Sequence, residues 1–591
     1  MRTKRHVRIL ALTSLCVALL ASPGVALGRT IYVDDDAAGA QDGTSWASAF
    51  ADLQDALAVA KVGDEIRVAQ GVYRPAHLAH WPYPSSAEYE ASFRLVDGTA
   101  VLGGFAGLTG ADPDHRDPAL FTTILTGDLA GDDDPNGPLL MSNGNSRTVV
   151  AAWKGRSTLD GVTVTRGKSR DGGSGAGLRC SEGDFLVRNC TFRENWSDDV
   201  GGGIENFRGT VRLEKCRFIR NEAYDGGGLS NSYGTAEVID CEFIDNYAWV
   251  GSGIYNEAGD LRIEHSRFLR NRGVALGNGG SVEVIASEFV ENHDDDGPGA
   301  VVTGQGPAVF FGCLFRGNDA KETGGIASSG GLSLLYCTFA GNHGDEHPGA
   351  LDCSGGHATI AHCLFYANYG IDVGAILVQG ASVSLDQCTF YGNVATDGLA
   401  GAIDCPATYC WSPTLCFPAG TLTARGCIFR ANRSWVAEED ALELVGGYET
   451  QISAAPNTAT FDYCCIQGWT PERGGLGNIG ADPLFVAPDQ NDFHVKSQAG
   501  HWDAAALAWV ADDVTSPCID AGDPNSPVGP EPSPNGGTVN MGVYGGTCEA
   551  SKSRFGVAPG PGVNAADLNG DGRVDAEDYH LALQRWPPSG Q

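Results

Sequence analysis

The chain has 591 residues, 82 of them glycine and only three methionine, with 19% charged side chains and a formal charge of −34 at neutral pH. That acidity excludes nucleic acid as a partner, because a phosphate backbone needs a basic groove; it suits divalent cations, or plain solubility outside a cell. So much glycine at moderate charge points to a turn-dense β architecture rather than to three or four ordinary domains, and internal repeats take precedence over domain counting.

Residues 1–8, MRTKRHVR, are basic, residues 9–21 are apolar, and SPGVALG supplies small residues for cleavage near Gly28. This pattern over 1–28 is that of a secretory signal, too short to span a bilayer. No later stretch reaches the roughly 18 uncharged apolar residues that a membrane helix needs. A secreted or cell-surface protein without a membrane-spanning segment is expected. Of 18 cysteines, Cys16 falls in the signal, which leaves seventeen; an odd count in an oxidising compartment leaves at least one thiol unpaired or paired between chains. Within 29–150, WASAFADLQDALAVA places Phe50, Leu53 and Leu57 on one helical face ahead of the strand EIRVAQGVY, an N-terminal cap followed by the first coils.

From 151 to 435 the chain repeats. Equivalent positions are Cys190, Cys216, Cys241, Ser266, Ser287, Cys313, Cys337, Cys363, Cys388 and Cys427, spaced 26, 25, 25, 21, 26, 24, 26, 25 and 39 residues apart. At all ten, Phe follows two residues later (Phe192 through Phe429) and Asn five residues later (Asn195 through Asn432). A degenerate eleventh copy puts Val162 and Val164 where Cys and Phe would stand. In TVRLEKCRFIRN, Val211 and Leu213 alternate inward, two residues break the parity, and Cys216 and Phe218 alternate inward again, which makes two short strands joined at a corner. Asn221 ends the second strand, where its amide tolerates left-handed geometry and bonds to the same Asn one layer away. Segments such as GGGI and GGGL then supply the next corner and a third short strand. Three strands and three corners in about 25 residues make one turn of a parallel β-helix. The cysteine is a small buried hydrophobe in this scheme, with free thiols or ladder disulfides as the two readings.

Nine residues after each repeat start stand Asp199, Asp225, Val250, Ala275, Asp296, Glu322, Glu346, Asp372 and Asp397, seven of nine acidic. Stacked at roughly 4.8 Å such carboxylates repel unless they are solvated, bonded to turn amides or bridged by a cation. Turn-forming residues, a calcium ladder and a polysaccharide-cleaving groove are the three readings. The 39-residue spacing marks an insertion, CPATYCWSPTLCFPAG, with Tyr409, Trp411 and Phe417 among Cys405, Cys410 and Cys416. It is read as a glycan-binding loop, where aromatic faces stack on sugars, or as a disulfide-stapled cover; a zinc site suits it less, with no histidine near. Last coils and a C-terminal cap are expected over 436–550, with Cys518 and Cys548 as a candidate disulfide.

A proline- and glycine-rich linker opens the segment 551–591, which carries DLNGDGRVDAED at 567–578. Asp567, Asn569, Asp571, Asp575 and Asp578, with the carbonyl of Arg573 and Gly572 at the turn, set oxygen ligands at the spacing that wraps calcium. A solvated acidic tail is the alternative.

The FxxN and GGA[I/L]-like signatures resemble the repeats of chlamydial polymorphic outer-membrane proteins and of right-handed parallel β-helix proteins of planctomycete-like bacteria. IYVDDDAAGAQDGTSWASAFADLQDAL and FTTILTGDLAGDDDPNG look like the N-terminal part of that group. YCCIQGW, NIGADPLF, SPCIDAGDP and MGVYGGT resemble the last coils of the domain called choice-of-anchor Q. The loop at 567–578, with Asp at its twelfth position, resembles one half of a dockerin, which implies calcium as cofactor and a cohesin-like module as partner; dockerins carry two such loops and this chain has one. The resemblance implies an all-β, right-handed parallel β-helix with a surface or anchoring role. It does not fix an activity. Polygalacturonases share NTD, GHG and RIK motifs that are absent here, and no assembled calcium-and-base set of a pectate lyase is legible. The expectation is a non-catalytic protein for adhesion, surface display or extracellular glycan binding, with a secreted lyase or glycoside hydrolase acting on acidic polysaccharide as the alternative.

Overall fold

The computed structural model describes residues 28–75, 90–134, 144–398, 400–412, 415–438, 441–445 and 448–555. Its backbone winds as a right-handed β-helix built almost wholly from parallel strands. Three ladders run along it. In the first, Leu178, Ile204, Leu229 and Ile254 stack in register; in the second, Val211, Ala236, Leu261 and Val282 do so. The third is a 14-stranded sheet that includes every repeat phenylalanine in chain order. It adds strands Gly71–Tyr73 and Thr123–Thr126 ahead of the repeats and Cys465–Ile466 after them, so the solenoid outruns the eleven units read from sequence. Fourteen strands at the parallel spacing make a ladder about 60 Å long.

The core is columnar because each coil places the same side chain over the same side chain. From Phe192 to Phe429 the rings stack with centroids 4.6–5.2 Å apart and planes within 9°, and Phe461 closes the column edge-on at 83°. The thiols beside them are buried and free, each donating to a carbonyl two residues back where bonded, as Cys190 does to Arg188 at 3.2 Å. Burial drives the thiols of Cys180 and Cys353 well above their usual range.

The asparagine ladder forms as expected: Nδ2 of Asn246 donates to Oδ1 of Asn271 at 2.9 Å, and Nδ2 of Asn271 to Oδ1 of Asn292 at 3.0 Å. Its conformational role differs from the expectation. The left-handed residue is the one before it, Arg220 at φ +52° ahead of Asn221 and Arg270 at +49° ahead of Asn271. A second left-handed residue, such as Lys215 at +53° or Asp240 at +53°, turns the corner ahead of each cysteine. The asparagine itself turns inward as a buried bonding group, and its exposed neighbour carries the strained angle.

At the N-terminal end helix α1 (Leu53–Val59) buries Leu53, Ala56 and Leu57, and the Asp52 carboxylate caps it by accepting from Gln54 N at 2.8 Å. Phe50 lies outside the helix, bridged to Val33. At the other end the chain does more than close the last coil. Phe485 and Phe493, from the hairpin of Phe485–Ala487 and Asp492–Val495, pack on the outward rings of Tyr366 and Tyr391. Gly542 N donates to Gly426 O, and Val543 N to Thr389 Oγ1. The segment after the last coil therefore folds back as a latch over the third ladder. No helix among the described residues is long and apolar enough to cross a membrane.

Candidate functional site

Once each ladder asparagine has turned inward, the next residue points out, and register stacks these residues into a column. It runs Lys168, Trp196, Glu222, Tyr247, Arg272, His293 and on to Asp319, His343 and Tyr369. Its members hold one another. Trp196 Nε1 donates to Glu222 Oε1 at 3.2 Å, and Asp319 lies between His293 (3.1 Å) and His343 (2.7 Å). Tyr247 of this column (45% exposed) and, beside it, Tyr224 (59%) and Trp249 (56%) stand in water on two adjacent coils. These aromatics were not singled out in the sequence. The signal was present as NEAYD and NYAWV, in the same offset after successive ladder asparagines.

The seven acidic positions lie on the same turns but do not form one column. Asp225 is in register with Val200 and Val250, so Asp199 stands one residue off the line. Asp199 accepts from Ser174 Oγ at 3.1 Å and lies close enough to Glu205 to raise its pKa. Glu205 pairs with Arg179 at 2.8 Å; burial pushes its carboxyl up to about 7 against the pull of that guanidinium. Burial also raises the Asp225 carboxyl, while a bond from the Val250 amide lowers it. Asp296 and Asp397 are exposed. The Asp296 amide donates to the side chain of Asp294 at 3.0 Å, so the turn acceptor here is Asp294 and not the repeat acid Asp296.

Glu322 and Asp372 do come together, around two groups the sequence reading passed over, with the exposed Glu346 beside Glu322. His347 lies 3.5 Å from Asp372. Burial lowers its pKa, but the bond to Asp372 and the fields of Asp352, Asp372 and Glu322 outweigh this and leave it raised. Asp352, on the outward side of strand Leu351–Cys353, is covered to 3% exposure, and its Oδ1 has no hydrogen-bond partner. Burial pushes its carboxyl up to about 7; His347 opposes this, and Glu322 and Asp372 add to it. Two coils on, Asp404 is raised to about 6 by burial. Asp352 is thus a buried carboxyl raised toward neutral pH beside the His347 imidazole, the type of pairing that can pass protons.

Other expected sites separate. Tyr409 and Phe417 lie opposite each other in the antiparallel pairing of Thr408–Ser412 with Leu415–Pro418, with Trp411 in the first of those strands and Cys410 opposite Cys416. The expected Cys518–Cys548 bridge is not formed. Cys518 is buried in the apolar cluster under the latch beside Cys465, which raises its pKa through a side-chain bond, and Cys548 is exposed. The calcium loop residues Asp567, Asn569, Asp571, Arg573, Asp575 and Asp578 lie outside the described residues, as does the signal. Two acidic triads near the N-terminal end, Asp34–Asp35–Asp36 and Asp128–Asp132–Asp133, bring oxygens within 4.8 Å of one another. Asp34 spends both oxygens on amides, those of Asp36 and Leu108, which makes it a turn lock.

The family model for a right handed beta helix region matches residues 141–292, and that for the disaggregatase-related family matches 462–522. No curated protein matches the chain. Among solved structures, the pectate lyase Pel9A is 11% identical, with 88% of this chain and 97% of that one covered at a TM-score of 0.27. Tailspike protein 3 of bacteriophage CBA120 is 12% identical, with 81% and 67% covered and a TM-score of 0.33. PfbA, a surface adhesin of Streptococcus pneumoniae, is 10% identical, with 71% and 99% covered and a TM-score of 0.23. Likeness at this level does not transfer an activity.

Proposed function

We propose that the protein is an extracellular solenoid that holds a polysaccharide along the turns following the asparagine ladder, binding it rather than cleaving it. The exposed shelf of Tyr224, Tyr247 and Trp249 beside Asp225 carries this reading. Large aromatic faces left in water on a rigid scaffold mark an interaction surface, and the CH-rich face of a sugar ring covers such rings while neighbouring carboxylates accept its hydroxyls. Export is supported by the basic-then-apolar 28-residue start. The loop at 567–578 would supply a calcium site near the C-terminus, through Asp567, Asn569, Asp571, Asp575, Asp578 and the Arg573 carbonyl, serving attachment or a cohesin-like partner.

The test is retardation of the full-length protein in gels containing neutral or acidic polysaccharide, run with calcium and with chelator. Replacing Tyr224 and Trp249 together by Ala should weaken retention at least roughly tenfold, about 1.4 kcal/mol. Equal retention of the double variant would remove the shelf from the binding face.

Cleavage is the second reading, favoured by Asp352: a carboxyl near pKa 7 beside Glu322 and Asp372 has the make-up of an acid and base pair for a lyase or glycoside hydrolase. New reducing ends or unsaturated products that disappear in Asp352→Asn would put this reading ahead.

A further inference from the structure

The short strand Ile204–Phe207 and its equivalents have a second end, away from the aromatic shelf, where the chain turns into the second ladder. There each coil repeats a residue-glycine-residue pattern, Arg208-Gly209-Thr210 and then Tyr233-Gly234-Thr235, with counterparts centred on Gly183 before and Gly259 after. Across these four coils they line an open trough of about 360 Å³.

The floor is built and rigid. A second asparagine ladder lies beneath it, buried, with Nδ2 of Asn206, Asn231 and Asn256 each donating to Oδ1 of the next asparagine at 2.7 Å. The same amides hold the floor carbonyls, Asn206 to Gly209 O at 3.0 Å and Asn231 to Gly234 O at 3.1 Å. No side chain fits on this floor. A Cβ on Gly234 would lie 2.5 Å from both Asn206 Nδ2 and Gly209 O, and one on Gly259 would lie 2.2 Å from Gly234 O. At the start of this ladder, under Gly209, the buried Asn206 Oδ1 has no hydrogen-bond partner.

Corner geometry accounts for the glycines but not for the walls. Tyr233 is 55% exposed, yet its hydroxyl is fixed on Glu257 at 3.1 Å and its ring edge on Phe207. Arg208 lies over the Phe207 ring at 4.9 Å. Two of the rim carboxylates are balanced, Asp184 by Arg156 at 3.1 Å and Glu182 by Lys154 at 3.3 Å, while Asp260 accepts from Ser281 Oγ. The walls thus offer a fixed aromatic face, a guanidinium, threonine hydroxyls and three carboxylates, two of them paired with cations. The positions, with a different side chain ahead of the glycine on each coil, recur at the rung spacing of roughly 4.8 Å, a distance close to the advance of one pyranose along an extended chain.

We propose that this trough is a second binding groove, for a linear chain of neutral pyranoses laid along the solenoid axis with one ring per rung. Tyr233 stacks on one ring, and Arg208, Asp184 and Asp260 bond to hydroxyls on either side. The inference deepens the glycan-binding reading by naming a substrate class, but it stands on a different corner of the coil from the shelf.

The test is calorimetric titration of the full-length protein with cello-, manno- and xylo-oligosaccharides of two to six units. Affinity for one series should climb with length and level off at about four units, where the four rungs end. Tyr233→Ala should then lose roughly tenfold in affinity, with its melting temperature unchanged, while the variant lacking Tyr224 and Trp249 keeps it. Loss in the shelf variant with full affinity in Tyr233→Ala would overturn the trough and leave the shelf. Absence of binding to every neutral series, or affinity that does not depend on length, would overturn it as well.

Discussion

Asp352 occupies an outward position on a three-residue strand and yet is covered, with one oxygen unbonded. Its ordinary pKa of 3.8 becomes about 7 in the fold, so between those pH values the native chain keeps a proton that the unfolded chain has released. Stability from this group is therefore whole below about pH 4 and declines as pH rises through 7. Glu205, at about 7, and Glu531, at about 8, are raised by burial too and tilt the slope the same way. His347 sharpens the effect, since losing its proton leaves an ionised Asp352 facing Glu322 and Asp372 alone. Replacing Asp352 by Asn keeps the shape and removes the titration. The gap between 3.8 and 7 corresponds to at most about 4 kcal/mol, and relaxation around the site brings the expected gain to roughly 2 kcal/mol. In denaturant melts the variant should gain on the parent between pH 5 and pH 8; parallel curves over that range would show that the carboxyl is ionised and solvated throughout.

In the individual strands, stability comes from columns rather than from separate contacts. Asn271 makes four bonds at once. Its Oδ1 accepts from Asn246 N and Nδ2, and its Nδ2 donates to Asn292 Oδ1 and to Phe243 O, all at 2.9–3.0 Å and fully buried. Asn271→Ala strands the Asn246 amide and breaks the polarised chain of amides on both sides, for an expected loss of about 3 kcal/mol. Phe268→Ala, which opens a gap in the ring stack, should cost about 3–5 kcal/mol. Urea titration should place the two within about 2 kcal/mol of each other; a nearly neutral Asn271→Ala would mean that water replaces the ladder. These columns were legible because strict recurrence of Cys, Phe and Asn at fixed offsets survives any single substitution, as Ser266 and Ser287 show. The carboxylates were legible only as a pattern, since counting from the cysteine misses the one-residue slip at Asp199. Asp352 and His347 were not visible, because their environment is made by coils about 25 residues apart in sequence. The second asparagine ladder was equally hidden: it spans only Asn206 to Asn278 and ends where Thr303 takes its place.

Across the whole molecule, a solenoid whose coils contact only their neighbours unfolds from its ends unless something ties several coils together. The latch does this at the C-terminal side, since Leu364 and Tyr366, Tyr391, and Ile428 belong to three successive coils and share one apolar cluster with Phe485, Phe493 and Met541. No comparable cluster covers the third ladder between Thr191 and Val290 among the described residues, where the outward residues are an aliphatic row, Ile219, Ile244 and Leu269, and charged pairs such as Arg217 with Glu242 at 2.9 Å and Arg267 with Glu288 at 3.0 Å. Exposed pairs of that kind contribute little. Phe493 is the test position, being buried to 2% and in contact with both outward tyrosines. Phe493→Ala should cost about 3–5 kcal/mol locally, and the cost should fall on the coils beneath it. Hydrogen exchange should show protection dropping in Thr389–Tyr391 and Ile428–Arg430 while Arg217–Ile219 and Glu242–Ile244 keep theirs, because coupling between coils decays along the axis. A uniform drop over all these strands would mean that the solenoid unfolds as one cooperative unit, with the latch serving only as its cover.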